Sequence, residues 1–128
     1  MANKVLMKGN EAIAEAAIQA GCRHYFGYPI TPQTEIAAYM AKRMPKVGGL
    51  CLQAESEISA INMVMGASAS GARVMTSTSG PGYCLKLEAL AAMTLTRLPA
   101  VVCLVMRSGP AFGTMKAAQE DYRMIGNG

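Results

Sequence analysis

Three times along the chain a β-rich run ends at a turn and passes directly into an apolar helical segment, and this alternation limits the fold more than any other feature. His24 to Tyr28 is short and aromatic-rich and stops at Pro29. Thr31-Pro32 then offers an N-cap and a proline at the first helical position for a helix carrying Ile36, Tyr39, Met40 and Met44 before Pro45. Gly49 to Ala54 reads as a second strand, followed by a helix over Glu55 to Ser70 with Ile58, Ile61 and Met65 inward and Gly71 as its stop. Arg73 to Ser79, the turn Gly80-Pro81-Gly82 and a helix from Tyr83 to Thr96 form the third copy, with Leu87, Leu90, Ala91 and Met93 on its apolar side. A further helix after Asn10, with Ile13, Ala16, Ala17 and Ala20 on one face and a stop at Gly21, precedes them, and an apolar fourth strand, Ala100 to Met106, closes the series.

Strands that alternate with helices through short turns build a parallel sheet with right-handed crossovers, buried on both faces. The expected class is α/β, a parallel sheet flanked by helices. Ligands of such sheets lie beyond the carboxyl ends of the strands, where helix N-termini also point. Those ends are Tyr28-Pro29-Ile30-Thr31, Gln53-Ala54-Glu55, Ser79-Gly80-Pro81-Gly82 and Arg107-Ser108-Gly109-Pro110, all polar or glycine-rich. One rim therefore gathers the candidate chemistry.

At 128 residues, 52% of them hydrophobic, the chain suits one domain with a real core. Its net charge of +4 is spread without a Lys/Arg stripe, so a nucleic-acid partner is not expected. The most apolar stretch, Ala89 to Met106, is broken by Arg97 and Pro99, against a membrane span, and no secretory pattern opens the chain. Cys22, Cys51, Cys84 and Cys103 lack the close spacing of metal or cluster ligands and read as buried thiols of a reducing cytoplasm.

The rim offers the carboxylates Glu55 and Glu57, the hydroxyls of Thr31, Ser77, Thr78 and Ser79, the guanidinium of Arg107, and close backbone approach at its glycines. No metal site is expected. The only histidine is His24, and no nucleophile elbow, phosphate-binding P-loop or dinucleotide-binding glycine turn is present. The residues alone define an acid, a cation and anion-friendly amides, and no reaction beyond that.

A family resemblance carries the reading further. Lys8-Gly9-Asn10-Glu11-Ala12-Ile13-Ala14, followed by Tyr28-Pro29-Ile30-Thr31-Pro32, resembles the amino-terminal signature of the 2-oxoacid:ferredoxin oxidoreductases, nearest to the 2-oxoisovalerate branch. Glu57, nine residues before Gly66, together with Thr78-Ser79-Gly80-Pro81-Gly82, resembles the pyrimidine-binding domains of thiamine diphosphate enzymes. Val105 to Pro110 completes the match, which spans Val5 to Tyr122.

The resemblance implies one pyrimidine-binding domain over residues 1–128, incomplete because the family continues beyond Gly128. It implies a subunit of an enzyme that oxidatively decarboxylates a 2-oxo acid, a branched-chain one by overall similarity, to acyl-coenzyme A and carbon dioxide, with electrons passed to ferredoxin. Glu57 is then the catalytic and cofactor-binding residue, a carboxylic group in an apolar pocket that shares a proton with the aminopyrimidine ring of thiamine diphosphate. Glu55, at the strand end, competes for that role, and the interval to Gly66 favours Glu57. Ser79, Gly80, Pro81 and Gly82 join in holding the cofactor, and Thr31 and Arg107 hold the substrate carboxylate through a hydroxyl and a planar guanidinium. The diphosphate and magnesium half of the cofactor site and the iron–sulfur clusters fall to partner subunits: a thiamine diphosphate/magnesium-binding subunit, a gamma-type coenzyme A-associated subunit and a ferredoxin-like subunit.

Arg97-Leu98-Pro99 departs from the family, which has a glutamate before its apolar-Pro pair. Two other readings use the same residues: a subunit of a split thiamine diphosphate decarboxylase that passes no electrons, and a truncated, non-catalytic assembly module. Which 2-oxo acid is used is not legible in the sequence.

Overall fold

The computed structural model describes residues 4–109 and 115–126, so Pro110, at the end of the fourth rim segment, and Asn127 and Gly128 lie outside the described residues. Helix α1 (Gly9–Gln19) leads to β1 (His24–Gly27), α2 (Thr34–Arg43) and a 3-10 turn over Met44–Val47. Then come β2 (Leu50–Gln53), α3 (Glu57–Ala69), β3 (Val74–Thr78), α4 (Gly80–Cys84), α5 (Leu87–Leu95), β4 (Val101–Leu104) and α6 (Tyr122–Gly126). The four strands form one sheet in the order β2-β1-β3-β4, every pair parallel. The α/β expectation holds. Strand order reverses direction between β1 and β3, and a crevice opens outside the carboxyl ends of strands at such a switch point.

Burial on both faces, expected of every strand, is realised in the centre only. All five residues of β3 are buried, whereas Leu50 and Leu52 of β2 and Val101 of β4 stay exposed, because β2 and β4 are the edges of the sheet. The period-2 alternation of β3 divides its side chains between two cores. Met75 joins Ala14, Ile18, Tyr25, Ile36, Met40 and Met44 under α1 and α2. Val74 joins Phe26, Ile61, Val64 and Met93 under α3 and α5.

Several inward faces differ from expectation by one helical step. Helix α1 starts at Gly9 after Lys8, one residue ahead of the anticipated Asn10 cap, and buries Ala14 and Ile18 with Ile13 outside. In α3, Ile61 is buried with Ala60 and Val64 while Ile58 is half exposed, which turns Glu57 inward. Helix α2 starts at Thr34 with Gln33 as its N-cap, so Thr31 caps nothing, and Thr31-Pro32 forms a turn with a cis peptide bond ahead of the helix. Gly80-Pro81-Gly82 is itself the first turn of α4, and the single helix expected over Tyr83 to Thr96 is interrupted at Leu85-Lys86. There the Lys86 N–H bonds the Tyr83 carbonyl at 2.9 Å, a tightened i to i−3 turn. Of the four thiols, all free, Cys22 is buried, Cys51 and Cys103 are half-buried and Cys84 is exposed, which corrects the expectation of four buried ones.

Helices α1, α3 and α5 end in the same way. The third residue past each helix bonds back to the third-last helical carbonyl: Cys22 to Ala17, Ala72 to Ala67 and Leu98 to Met93. The residue between takes the left-handed conformation, and it is Gly21, Gly71 and Arg97. Arg97, the family departure, is thus a side chain where its two counterparts are glycine. Arg97→Gly is expected to raise stability by up to about 1 kcal/mol, since the steric cost of left-handed backbone exceeds glycine's extra chain entropy; thermal denaturation measures it.

Across α1 and α2, Arg43 Nε lies 3.1 Å from Glu15 Oε2, and Tyr39 and Gln19 donate to the same carboxylate. The hydrogen bonds from Arg43 and then Gln19 lower the Glu15 pKa from 4.5 to about 2. Because the native value lies below the unfolded one, this contribution is fully present above about pH 4.5 and is lost as the pH falls toward 2. Glu15→Gln should flatten the acid side of a stability-against-pH curve and leave its neutral side lower than wild type.

Candidate functional site

Ser56 begins the site. Its Oγ accepts from the Ser59 N–H at 3.0 Å, capping α3 and making Glu57 the first helical residue, where the helix dipole favours a carboxylate. Glu57 points inward and is only 3% exposed. Its Oε1 accepts from Thr78 Oγ1 at 2.7 Å, and its Oε2 lies 2.9 Å from Lys86 Nζ, whose side chain is fully buried. The expectation of a glutamate in an apolar pocket is corrected here: the carboxylate is ion-paired. Lys86 Nζ also donates to the Glu57 carbonyl at 3.2 Å and to Thr76 Oγ1 at 3.4 Å. Burial lowers the lysine's pKa from its ordinary value, and the hydrogen bond and charge of Glu57 oppose that shift.

Glycine is required beside this pair. A Cβ on Gly82 would collide with Thr78 Oγ1 and Glu57 Oε1, so the turn approaches the carboxylate as bare backbone. Ser79 to Gly82 are all buried, and the Ser79 hydroxyl has no hydrogen-bond partner among the described residues. A Cβ on Gly80 would stand 2.7 Å from both Asp121 Oδ1 and the Gly109 carbonyl. Asp121, 1% exposed, accepts from the Arg107 N–H at 3.3 Å, in the segment that follows β4.

Arg107 and Thr31 come together, by a bond that the sequence did not suggest. Arg107 Nη1 donates to the Thr31 carbonyl at 3.0 Å, while Thr31 itself is exposed and Arg107 is buried with Nε unpartnered. Beneath the Tyr28 to Thr31 segment, buried Gln33 donates to the Tyr28 carbonyl at 2.9 Å and accepts from Ser77 Oγ at 2.6 Å. Tyr25 and Ser77 share a hydrogen bond of 2.6 Å. Glu55 is exposed and accepts from Ser59 Oγ at 2.6 Å, a bond that lowers its pKa. Of the two candidate acids, only Glu57 is inside.

Lys86, Asp121 and Gln33 were not singled out from sequence. Lys86 carried a usable signal, a lone lysine in a long apolar helical segment. Gln33 and Asp121 carried none, since their burial depends on which turn covers them.

The carboxylate beside a bare glycine turn and the unpartnered Ser79 hydroxyl fit an aminopyrimidine ring, which needs an acid at one ring nitrogen and close backbone approach. Comparison with known proteins gives the family. Residues 15–126 match the sequence pattern of the pyruvate flavodoxin/ferredoxin oxidoreductase thiamine diphosphate-binding family. The ketoisovalerate oxidoreductase subunit VorB of Methanothermobacter thermautotrophicus is 50% identical over 96% of the chain and 35% of its own length. The 2-oxoglutarate synthase subunit KorA of Methanocaldococcus jannaschii is 49% identical over 92% of the chain and 32% of its own. A solved 2-oxoglutarate:ferredoxin oxidoreductase from Magnetococcus marinus, with 2-oxoglutarate, coenzyme A and succinyl-CoA bound, superposes with a TM-score of 0.89 at 42% identity, covering 91% of this chain and 21% of that one. The chain spans about a third of the length of the curated relatives it matches.

Gly82→Ala should displace Glu57 or the turn and lower the melting temperature by an amount equivalent to about 1–3 kcal/mol. A scanning calorimeter reads the loss, and Gly66→Ala, where a Cβ meets nothing within 4 Å, is the control.

Proposed function

The chain belongs to the pyruvate flavodoxin/ferredoxin oxidoreductase thiamine diphosphate-binding family, and from that premise we propose that it is the pyrimidine-binding part of a 2-oxoacid:ferredoxin oxidoreductase subunit. The substrate is a 2-oxo acid, branched-chain by its likeness to the ketoisovalerate subunit, and the products are acyl-coenzyme A, carbon dioxide and reduced ferredoxin. The observation that carries the reading is Glu57, an interior carboxylate at the switch point of a parallel sheet, held against the bare backbone of Gly82.

Thiamine diphosphate, when bound, supplies the electron sink that decarboxylation of a 2-oxo acid needs. Glu57, Ser79, Gly80, Pro81 and Gly82 would hold its aminopyrimidine end. Glu57 holds or gives a proton at the ring nitrogen through a carboxylate oxygen, with Thr78 Oγ1 fixing the rotamer from Oε1. Arg107, steadied by the Thr31 carbonyl, binds the substrate carboxylate, and the exposed Thr31 hydroxyl gives a further bond. Burial of the Ser79 to Gly82 turn keeps bulk water from the proton shared with Glu57.

Magnesium and the iron–sulfur clusters are assigned to partner subunits: the thiamine diphosphate/magnesium-binding, coenzyme A-associated and ferredoxin-like ones. Among the described residues, no group of three or more His, Cys, Asp or Glu could hold a metal ion. No helix among them is long and apolar enough to cross a membrane, and four free thiols suit a reducing cytoplasm.

The test is coenzyme A-dependent reduction of a viologen dye with 2-oxoisovalerate, by the complete complex of the full-length subunit with its partners. Glu57→Gln is expected to lower the rate about 100-fold to 10,000-fold. Full activity in that variant would remove Glu57 from catalysis and with it the basis of the reading.

A further inference from the structure

Lys86 has no part in the function so far described, yet it is the most deeply buried cation of the site. Its side chain is fully buried, its Nζ lies 2.9 Å from Glu57 Oε2, and Nζ also donates to the Glu57 carbonyl and to Thr76 Oγ1. One strand, one helix and the break between two further helices meet at it. Thr76 and Thr78 reach the pair from β3, Glu57 from the first turn of α3, and Lys86 from the break between α4 and α5. A continuous helix from Tyr83 onward would have no reason to stop there, and the stop turns an ammonium toward the interior rather than toward solvent.

We propose that Lys86 is a positioning residue for the Glu57 carboxylate: from behind the cofactor turn it fixes the orientation of Glu57, and its buried positive charge shapes the pH dependence of cofactor binding and turnover at this site. The proposal rests on the role assigned to Glu57 above. A cation at ion-pair distance favours the charged form of a carboxylate, and burial of both partners keeps solvent and salt from screening the effect. Tyr25 of β1 also interacts with Glu57; burial holds its phenol well above the ordinary range, so it stays neutral near neutral pH. The remaining atoms within reach, Thr76 Oγ1 and Thr78 Oγ1, do not titrate.

The experiment uses the complete complex of the full-length subunit with its partners, as wild type, Lys86→Met, Lys86→Arg and Glu57→Gln. Thiamine diphosphate binding is followed by calorimetry across pH, and the tautomer of the bound cofactor by near-ultraviolet circular dichroism, alongside dye reduction. Removing the cation in Lys86→Met should move the acid limb of the binding and rate profiles upward by about 1 to 3 pH units. Lys86→Arg, which keeps the charge, should return the limb toward its wild-type position even if its rate is lower. A structural role would lower stability in both variants and leave the limb where it is. If Lys86→Met does not assemble, Lys86→Gln, which keeps a donor and loses the charge, must show the same displacement. An unmoved limb in the neutral variants, with Glu57→Gln inactive, overturns the Lys86 proposal alone. Full activity in Glu57→Gln instead removes the functional reading on which it stands.

Discussion

A carboxylate and an ammonium 2.9 Å apart, both withdrawn from solvent, dictate much of what surrounds them. Taking two such charges out of water costs several kcal/mol per ion, and their attraction offsets this only where the remaining donors and acceptors are satisfied. The chain meets that condition in part, with Glu57 Oε2 held, among the described residues, by the ion pair alone. Thr78 donates to one oxygen of Glu57, and Lys86 spends further donors on the Glu57 carbonyl and Thr76. The two threonines occupy the face of β3 that continues from Val74, so a strand whose other members build cores also supplies the hydroxyls of the site. Gly82 is the final requirement, since any side chain there would displace the carboxylate.

The surrounding rim is a set of connections between segments far apart in sequence. Arg107 grips the Thr31 carbonyl across 76 positions, and Asp121 accepts from the Arg107 backbone close beside Gly80. Gln33, Tyr25 and Ser77 form a buried network on the opposite face of the sheet, beneath the segment that carries Thr31. The two faces thus divide the labour: the α3 side holds the acid, and the α1 and α2 side holds the loop assigned to the substrate. Both meet where strand order reverses between β1 and β3, the one place where the carboxyl ends of neighbouring central strands diverge.

Local chemistry made much of this readable. The β-rich runs at His24, Gly49, Arg73 and Ala100 became strands within a residue or two, because their turn residues and apolar runs are properties of adjacent positions. The stops at Gly21 and Gly71 were readable for the same reason, as left-handed backbone selects glycine. What failed were judgements of facing. Ile13 and Ile58 were assigned inward on periodicity, yet α1 buries Ala14 and Ile18 and α3 buries Ala60, Ile61 and Val64, because the rotation of each helix against the sheet is set by contacts distant in sequence.

The sequence by itself determined an α/β sheet of parallel strands and a single polar rim, since both follow from spacing and residue type, and its resemblance to a family singled out Glu57 and the Gly80-Pro81-Gly82 turn. Only the tertiary structure decided that Glu57 and not Glu55 lies inside, that Arg107 meets Thr31 through its backbone, and that Lys86 stands behind the acid. Each of those depends on how a helix is rotated against the sheet and on which distant segment covers it. Neither quantity is encoded at any one position, because both are set by the packing of side chains 20 to 80 residues apart.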